Sequence, residues 1–372
     1  MTNQRRMSRR MLLGGSIGLA GLASSLVALS INPQSVHASS ALPHPPVYNT
    51  SDMPDMPGMD MGSNATVGLT PSMVGLPYQA GDVSPKLNGF DPAQMLTTFD
   101  PGKVSTLPSG QTVRDYTLTA TDKMIYLGPK VVLAGSVYNG RLPGPYLRAT
   151  QGDHIRITFT NNSTTSHSIN FSGLHPSNPP GKMPDMAFQP VPKGGHTIYE
   201  FDAIQFGLHM YQSFANPMTF ATLRGLFGMI IIDPPQPRPK ATELAMIMSA
   251  SPLKVDLKDN TPDNDIYAVN AVAYQFFKHP YPLRVNEPIR VYLGNATEFD
   301  RINSFHLHAN LFNLYRSGTS LTPDELTDTV ILCHGQTAIL EFTFKFPGQY
   351  MFHAHQAEFS DKGWTSAFNV TP

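Results

Sequence analysis

The chemistry open to this chain of 372 residues is concentrated in two pairs of histidines, His306 and His308 flanking Leu307, and His353 and His355 flanking Ala354. Residues i and i+2 of a β-strand point to one face, so each pair presents two imidazoles side by side. If the two strands are neighbours, four imidazoles converge. The chain has 13 His in all, too few for two such pairs at matching places in one half to be an accident of composition. His306, His308, His353 and His355 are therefore expected to ligate a metal ion. Imidazoles suit copper, zinc, iron or nickel, and the ligand type alone does not choose among them. A single cysteine, Cys333, excludes an intramolecular disulfide and a thiolate zinc cluster.

The elements that must position these residues read as strands. From about Val113 onward the chain is written in short β-branched and aromatic runs punctuated by Gly, Pro and Asn, with 34 Pro and 29 Gly overall. The pattern also occurs twice. Ile155-Arg-Ile-Thr-Phe-Thr-Asn161 leads into Ser166-His-Ser-Ile-Asn-Phe-Ser-Gly173, and Ile289-Arg-Val-Tyr-Leu-Gly-Asn295 leads into Asn303-Ser-Phe-His-Leu-His-Ala-Asn310. A second pair closes each half: Gly207-Leu-His-Met-Tyr-Gln-Ser-Phe214 in the first, Gly348-Gln-Tyr-Met-Phe-His-Ala-His355 in the second. A repeat of this length implies an all-β protein of two β-sandwich domains of one fold, residues 111–236 and 240–372, joined near the run Pro234-Pro-Gln-Pro-Arg-Pro239.

The N-terminal region reads as an address. Arg5, Arg6, Arg9 and Arg10 precede an uncharged apolar run from Met11 to Ile31, and Val36-His37-Ala38 offers a small-x-small cleavage site. Residues 1–38 thus fit a twin-arginine export signal, which places the mature protein in the periplasm or outside the cell with no stable membrane span once the signal is removed. The alternative is an uncleaved anchor, since about 20 apolar residues can just span a bilayer. Residues 39–110 form a Pro/Met-rich linker and N-terminal extension in which little regular structure is expected. Within it Met53, Met56, Met59 and Met61 place thioethers beside carboxylates, a soft donor set suited to Cu(I) or simply a flexible, adhesive linker. Lys and Arg total 26 against 27 for Asp and Glu, so no field favours nucleic acid or an anionic membrane. Phosphate-binding loops, a G-x-S-x-G elbow and H-E-x-x-H are all missing from the sequence.

The lead-in Gly152-Asp-His-Ile-Arg-Ile-Thr-Phe-Thr-Asn161 and its repeat, the His306-Leu-His-Ala-Asn310 pair, the strand Asp328-Thr-Val-Ile-Leu332, the Gly348–His355 segment and Gly363-Trp364 together resemble the two-domain multicopper oxidases, relatives of copper nitrite reductase and small laccases. The resemblance runs from about Leu87 to Pro372. It implies two cupredoxin-like Greek-key sandwiches, copper as cofactor, and a homotrimer with catalytic copper between domain 1 of one chain and domain 2 of its neighbour. It also implies a type 1 electron-entry copper held by two His and a Cys, apart from a centre of one to three coppers held by H-x-H pairs of both domains.

Residue by residue the resemblance divides. His306 and His308 stand at the family's H-x-H pair, and His353 and His355 at the outer histidines of its second segment. In domain 1 the pattern His-x-His-Gly is Asn170-Phe-Ser-Gly173 here, and Tyr-His-Cys-His is Tyr211-Gln-Ser-Phe214. Ser213 therefore replaces the type 1 thiolate, Ala221 replaces its downstream histidine, and only His167 survives. Domain 2 offers no substitute, with Ala354, Asn303 and Phe359 at the corresponding places. A serine oxygen is a hard, weak donor to Cu(II) and cannot form the thiolate bond of a blue copper site.

Of the remaining candidates, Cys333 is expected to be a buried core thiol. His175 and His209 read as structural or ligand-supporting, and His154, His196, His279 and His334 as surface or hydrogen-bonded residues. Glu298, Asp300 and Glu358 lie near the histidine pairs in sequence and are candidates to orient imidazoles through the second nitrogen. The sequence points to an exported copper-binding member of the family whose oxidase chemistry is degenerate or reduced. The alternatives are an active copper-dependent oxidase of Cu(I) or phenols working from the domain 2 site, and a metal-free assembly partner.

Overall fold

Alternation of buried and open side chains sets the architecture. In the strand His154–Asn161, Ile155, Ile157 and Phe159 are fully buried while His154, Arg156 and Thr158 stand on the other face, the period of two that a half-buried strand requires. A computed structural model describes residues 81–372 except 130, 175–188, 216–217 and 253–263. The export-signal region, Met53 to Met61 and His175 lie outside the described residues.

Two β-sandwiches follow one another along the chain. The first packs a sheet ordered Lys103–Thr106, Thr112–Gly128, His154–Asn161, His196–Asp202, with Val131–Tyr138 as a further partner of the long strand, on a second sheet. That second sheet runs Phe99–Asp100, Tyr146–Thr150, Phe227–Asp233, Gly207–Gln212, Asn170–Phe171. Leu118, Ile157, Phe159 and Tyr199 meet Leu147, Tyr211, Ile230 and Ile232 between them. The second sandwich pairs a six-stranded sheet with a five-stranded one ordered Tyr281–Arg284, Thr365–Thr371, Gly348–His353, Ile302–Leu307, Thr329–Cys333. Phe305, Phe352, Phe368 and Trp364 fill its centre, and the Trp364 indole N–H donates to the Ser304 carbonyl at 3.0 Å. The fold is the all-β, two-sandwich architecture the repeat implies.

The sandwiches share a seam, and one strand explains it. Thr242–Ser251 is almost wholly buried on both faces. Leu244, Met246 and Met248 enter the core of their own sandwich, while Ala245 and Ile247 join Leu208, Met210 and Met229 of the first. A strand covered on both sides reads as a continuous apolar run instead of an alternating one. The rim of the seam is ionic. Arg148 spans Asp233 of the first sandwich at 2.6 Å and Glu243 of the second at 2.5 Å, and Arg290 reaches Glu341 at 2.6 Å and Glu243 at 3.1 Å.

The described part of the N-terminal extension departs from the expected irregularity. It contains two helical turns, Pro85–Asn88 and Pro92–Met95, and the strands Phe99–Asp100 and Lys103–Thr106. Each turn starts on a proline, whose fixed φ suits a first helical position, and the Asp91 carboxylate accepts from the Ala93 N–H at 2.9 Å as an N-cap. Met95 and Val83 pack into the seam and Leu96 into the second core, so tertiary burial organises a segment too short to show a period. Among the described residues no helix is long and apolar enough to cross a membrane.

Candidate metal centre

The histidines stand on the open face of the five-stranded sheet. Phe305 and Leu307, like Phe352 and Ala354, point into the core, which turns residues 304, 306 and 308 and residues 351, 353 and 355 outward. His306 and His353 are direct partners across the two antiparallel strands. The flanking rungs pair Ser304 with His355, whose N–H donates to the Ser304 hydroxyl at 2.8 Å, and His308 with Met351, whose carbonyl accepts from the His308 N–H at 2.9 Å.

Three of the four imidazoles are brought together: ligand atoms of His306, His308 and His353 lie within 4.8 Å of one another. His355 is exposed and lies one rung further on, its ring centroid 4.9 Å from that of His306 and 6.3 Å from that of His353. The Nε2 atoms of His308 and His353 are 2.8 Å apart.

Hydrogen bonds to the other ring nitrogen fix how these rings present themselves. His353 Nδ1 lies 2.5 Å from the Ala354 carbonyl, which can only accept, so Nδ1 carries the proton and Nε2 keeps its lone pair. Ser360 Oγ donates to the same carbonyl at 2.5 Å and accepts from Nδ1 at 3.0 Å. His306 Nδ1 faces the Asp328 carbonyl at 3.1 Å and Thr329 Oγ1 at 2.8 Å, and that hydroxyl in turn donates to the Asp328 carboxylate at 2.9 Å. Both rings are thus held with Nε2 available, the arrangement a metal-binding imidazole needs. Burial holds the pKa of His353 down at about 4 and also lowers that of His308, with the neighbouring imidazoles adding to both. Neutral imidazole is the ligating form. The donor set fits a copper ion: the 2.8 Å between two Nε2 atoms needs to widen only to ~3.3 Å for two ligands about 2.0 Å from a tetrahedral centre.

The corresponding rungs of the first sandwich contain no imidazole. Asn170 faces Gln212 where the second sandwich has His306 and His353, and the Ser172 N–H donates to the Met210 carbonyl at 2.8 Å where His308 meets Met351. Beneath them His167 is buried, with Nε2 3.1 Å from the hydroxyls of Ser163 and Thr165 and Nδ1 3.5 Å from Ser213 Oγ. The Ser213 oxygen accepts backbone N–H groups of Ser168 at 3.3 Å and Ala215 at 3.4 Å. Burial holds His167 at about 4. Ala221 is buried and adds no donor.

Several sequence expectations change. Cys333 is exposed, because Val330 and Leu332 take the inward positions of the strand Thr329–Cys333 and turn residue 333 outward. Glu298, Asp300 and Glu358 orient none of the four imidazoles. Glu298 lies 3.6 Å from His334, Asp300 accepts from Asn264 and Tyr267, and Glu358 pairs with Lys362 at 2.7 Å. The orienting partners are hydroxyls and carbonyls at Thr329, Asp328, Ala354 and Ser360, which carry no sequence signature. His209 is buried, its Nδ1 2.8 Å from the Ser172 carbonyl. His154 and His279 bind Asp202 at 2.8 Å and Asp82 at 3.0 Å.

Comparison with known proteins places the chain. Residues 120–237 and 247–372 each match a family profile described as multicopper oxidase. A solved multicopper oxidase is 38% identical, superposes with a TM-score of 0.73, and is matched over its full length by 78% of this chain. The copper-containing nitrite reductase of Neisseria meningitidis is 25% identical over 234 residues, 59% of this chain, which spans 58% of that relative's length. Laccase-2 of Podospora anserina is 35% identical over 150 residues, 39% of this chain and 24% of the relative. With both halves matched and its fold shared at that identity, the chain belongs to the multicopper oxidase family.

Proposed function

We propose that this is an exported copper-binding protein of the multicopper oxidase family whose oxidase chemistry is curtailed, with copper held by His306, His308 and His353 and His355 closing the set. The observation that carries this reading is the contrast between corresponding rungs: imidazoles with oriented Nε2 atoms in the second sandwich, Asn170, Ser172 and Gln212 in the first. Copper bound there would supply a redox-active, Lewis-acidic centre. The chain's own part is to keep the imidazoles neutral and aimed, through Thr329 and Asp328 for His306 and through Ala354 and Ser360 for His353. Oxygen reduction by the full family route draws on a thiolate entry site, and Ser213 beside a single His167 gives that site no support.

The partition into domains 111–236 and 240–372 accords with strands that end at Asp233 and resume at Thr242. A homotrimer accords with the open histidine face. Ile302 is 39% and Ile331 53% exposed there, whereas Leu208 and Met210 of the corresponding sheet in the first sandwich are buried in the seam. Export by the twin-arginine route rests on residues 1–38.

The test is metal stoichiometry of the full-length protein after anaerobic copper loading, beside a variant with all four histidines changed to alanine. Copper retained by the parent and lost by the variant supports the reading, and no copper in either sinks it. A second reading, a copper-dependent oxidase of Cu(I) or phenols with dioxygen as acceptor, is favoured by the exposure of His355, which leaves the site open to an external reductant. Steady oxygen uptake abolished by His353→Ala would support it, and uptake no greater than that of the variant would exclude it.

A further inference from the structure

The rung pairing brings one more donor to the histidine face. Met351 lies two residues before His353 on the same strand, with Phe352 buried between them, so the two share the outer face. It is also the direct cross-strand partner of His308, linked by the 2.9 Å bond from the His308 N–H to the Met351 carbonyl. Opposed residues of an antiparallel pair have Cβ atoms about 5 Å apart, within the reach of a methionine side chain. On its other side Met351 pairs with the buried Ala367. Met351 is only half-buried and so is not committed to a core. Its counterpart in the first sandwich, Met210, behaves differently. It is fully buried, and its sulfur lies so close to Gly294 that a Cβ there would meet it at 2.7 Å. The same position is fully buried in one half and only half-buried, on the histidine face, in the other.

We propose that the Met351 thioether is a further ligand of the second-sandwich site and gives it a preference for Cu(I). Thioether sulfur is a soft donor that suits Cu(I), and it contributes little to Cu(II), which imidazole nitrogens satisfy. The inference rests on the reading of His306, His308 and His353 as copper ligands, and the test separates the two.

Full-length parent, Met351→Leu, Met351→Ile and the four-histidine alanine variant would be compared anaerobically by competition for Cu(I) against bicinchoninate, and aerobically for Cu(II). Cu(I) affinity is expected to fall by about tenfold or more in Met351→Leu, a loss at least as large as that caused by removing ligand-orienting partners, with Cu(II) affinity nearly unchanged. X-ray absorption of the parent at one Cu(I) per chain should show a sulfur shell that Met351→Leu removes. Equal Cu(I) affinity in the parent and both Met351 variants, while the four-histidine variant loses copper, would overturn the role of Met351 and leave the imidazole site standing. A parent without a sulfur shell would overturn it whether or not the variants fold. Failure of the parent itself to retain copper would remove the underlying site as well.

Discussion

Across one rung of the first sandwich Asn170 faces Gln212, and across the corresponding rung of the second His306 faces His353. The two strands of each rung are paired alike, although Ile302–Leu307 has a further partner in Thr329–Cys333 where Asn170–Phe171 is the edge strand among the described residues. The cores beneath are equally aromatic, with Phe171, Phe201 and Tyr211 in one half and Phe305, Phe352 and Trp364 in the other. The scaffold therefore tolerates the exchange of imidazole for amide, and the donor atoms on the outer face decide which half can bind metal. The buried position below the first rung makes the same point. Ser213 accepts two backbone N–H groups there, so the peptide geometry around it is in place while the donor is a hydroxyl.

The most decisive way to break this comparison is to exchange the chemistry. His308→Ala with His353→Ala is expected to abolish copper retention, whereas Asn170→Ala with Gln212→Ala should leave copper per chain at the parental value, both read by elemental analysis. In the opposite direction, Gln212→His, Ser213→Cys and Ala221→His in one chain place a thiolate beside His167 Nδ1, which now lies 3.5 Å from Ser213 Oγ. The triple variant should turn intensely blue with Cu(II). A folded variant that stays colourless would show that Ser213 and Ala221 do not occupy type 1 positions.

A smaller effect is read by pH, and both halves contribute to it, through His167 in the first and His353 in the second, each held at about 4 by burial. His167 is buried and held at about 4, below its ordinary value of 6.5. The unfolded chain therefore binds the proton first, and stability is lost as pH falls from 6.5 through about 4. The loss amounts to about 3 kcal/mol once both states are protonated. Urea unfolding of the metal-free parent should show this slope, and His167→Gln should reduce it, leaving the share that His353 contributes. An unchanged slope in the variant would assign the acid sensitivity elsewhere.

How much of this was legible in the sequence depends on whether a feature repeats. Ile155, Ile157 and Phe159 announce their strand by period, and the His306 and His353 pairs announce one face by the same rule. The pairing of those strands followed from the repeat. Three features escaped because they depend on packing between distant segments. The helical turns at Pro85 and Pro92 form because Met95 and Leu96 are buried by strands far along the chain. Cys333 points outward because Val330 and Leu332 claim the core, a phase that one cysteine does not reveal. The run Thr242–Ser251 is apolar on both faces only because a second sandwich covers it.

The partners of the imidazoles were the least legible, and they supply the finest test of the contrast between halves. Carboxylates near the histidines in sequence were natural candidates, yet Thr329 Oγ1 and Ser360 Oγ meet His306 and His353 instead, through strand pairing and a helical turn, Ala357–Asp361. A hydroxyl that accepts from Nδ1 and donates onward, as Thr329 does to Asp328, fixes the tautomer and keeps Nε2 free. Thr329→Val preserves the shape of the side chain and removes the nearer of the two acceptors of His306 Nδ1, leaving the Asp328 carbonyl. It should weaken copper binding about tenfold without changing the stoichiometry, the scale expected of a ligand-orienting partner. Ser163→Ala, which removes a hydroxyl from the Nε2 side of His167 in the first sandwich, should leave copper affinity untouched. Equal responses in the two variants would mean that the hydroxyls serve packing alone, and that the second sandwich owes its selectivity to the imidazoles without their supports.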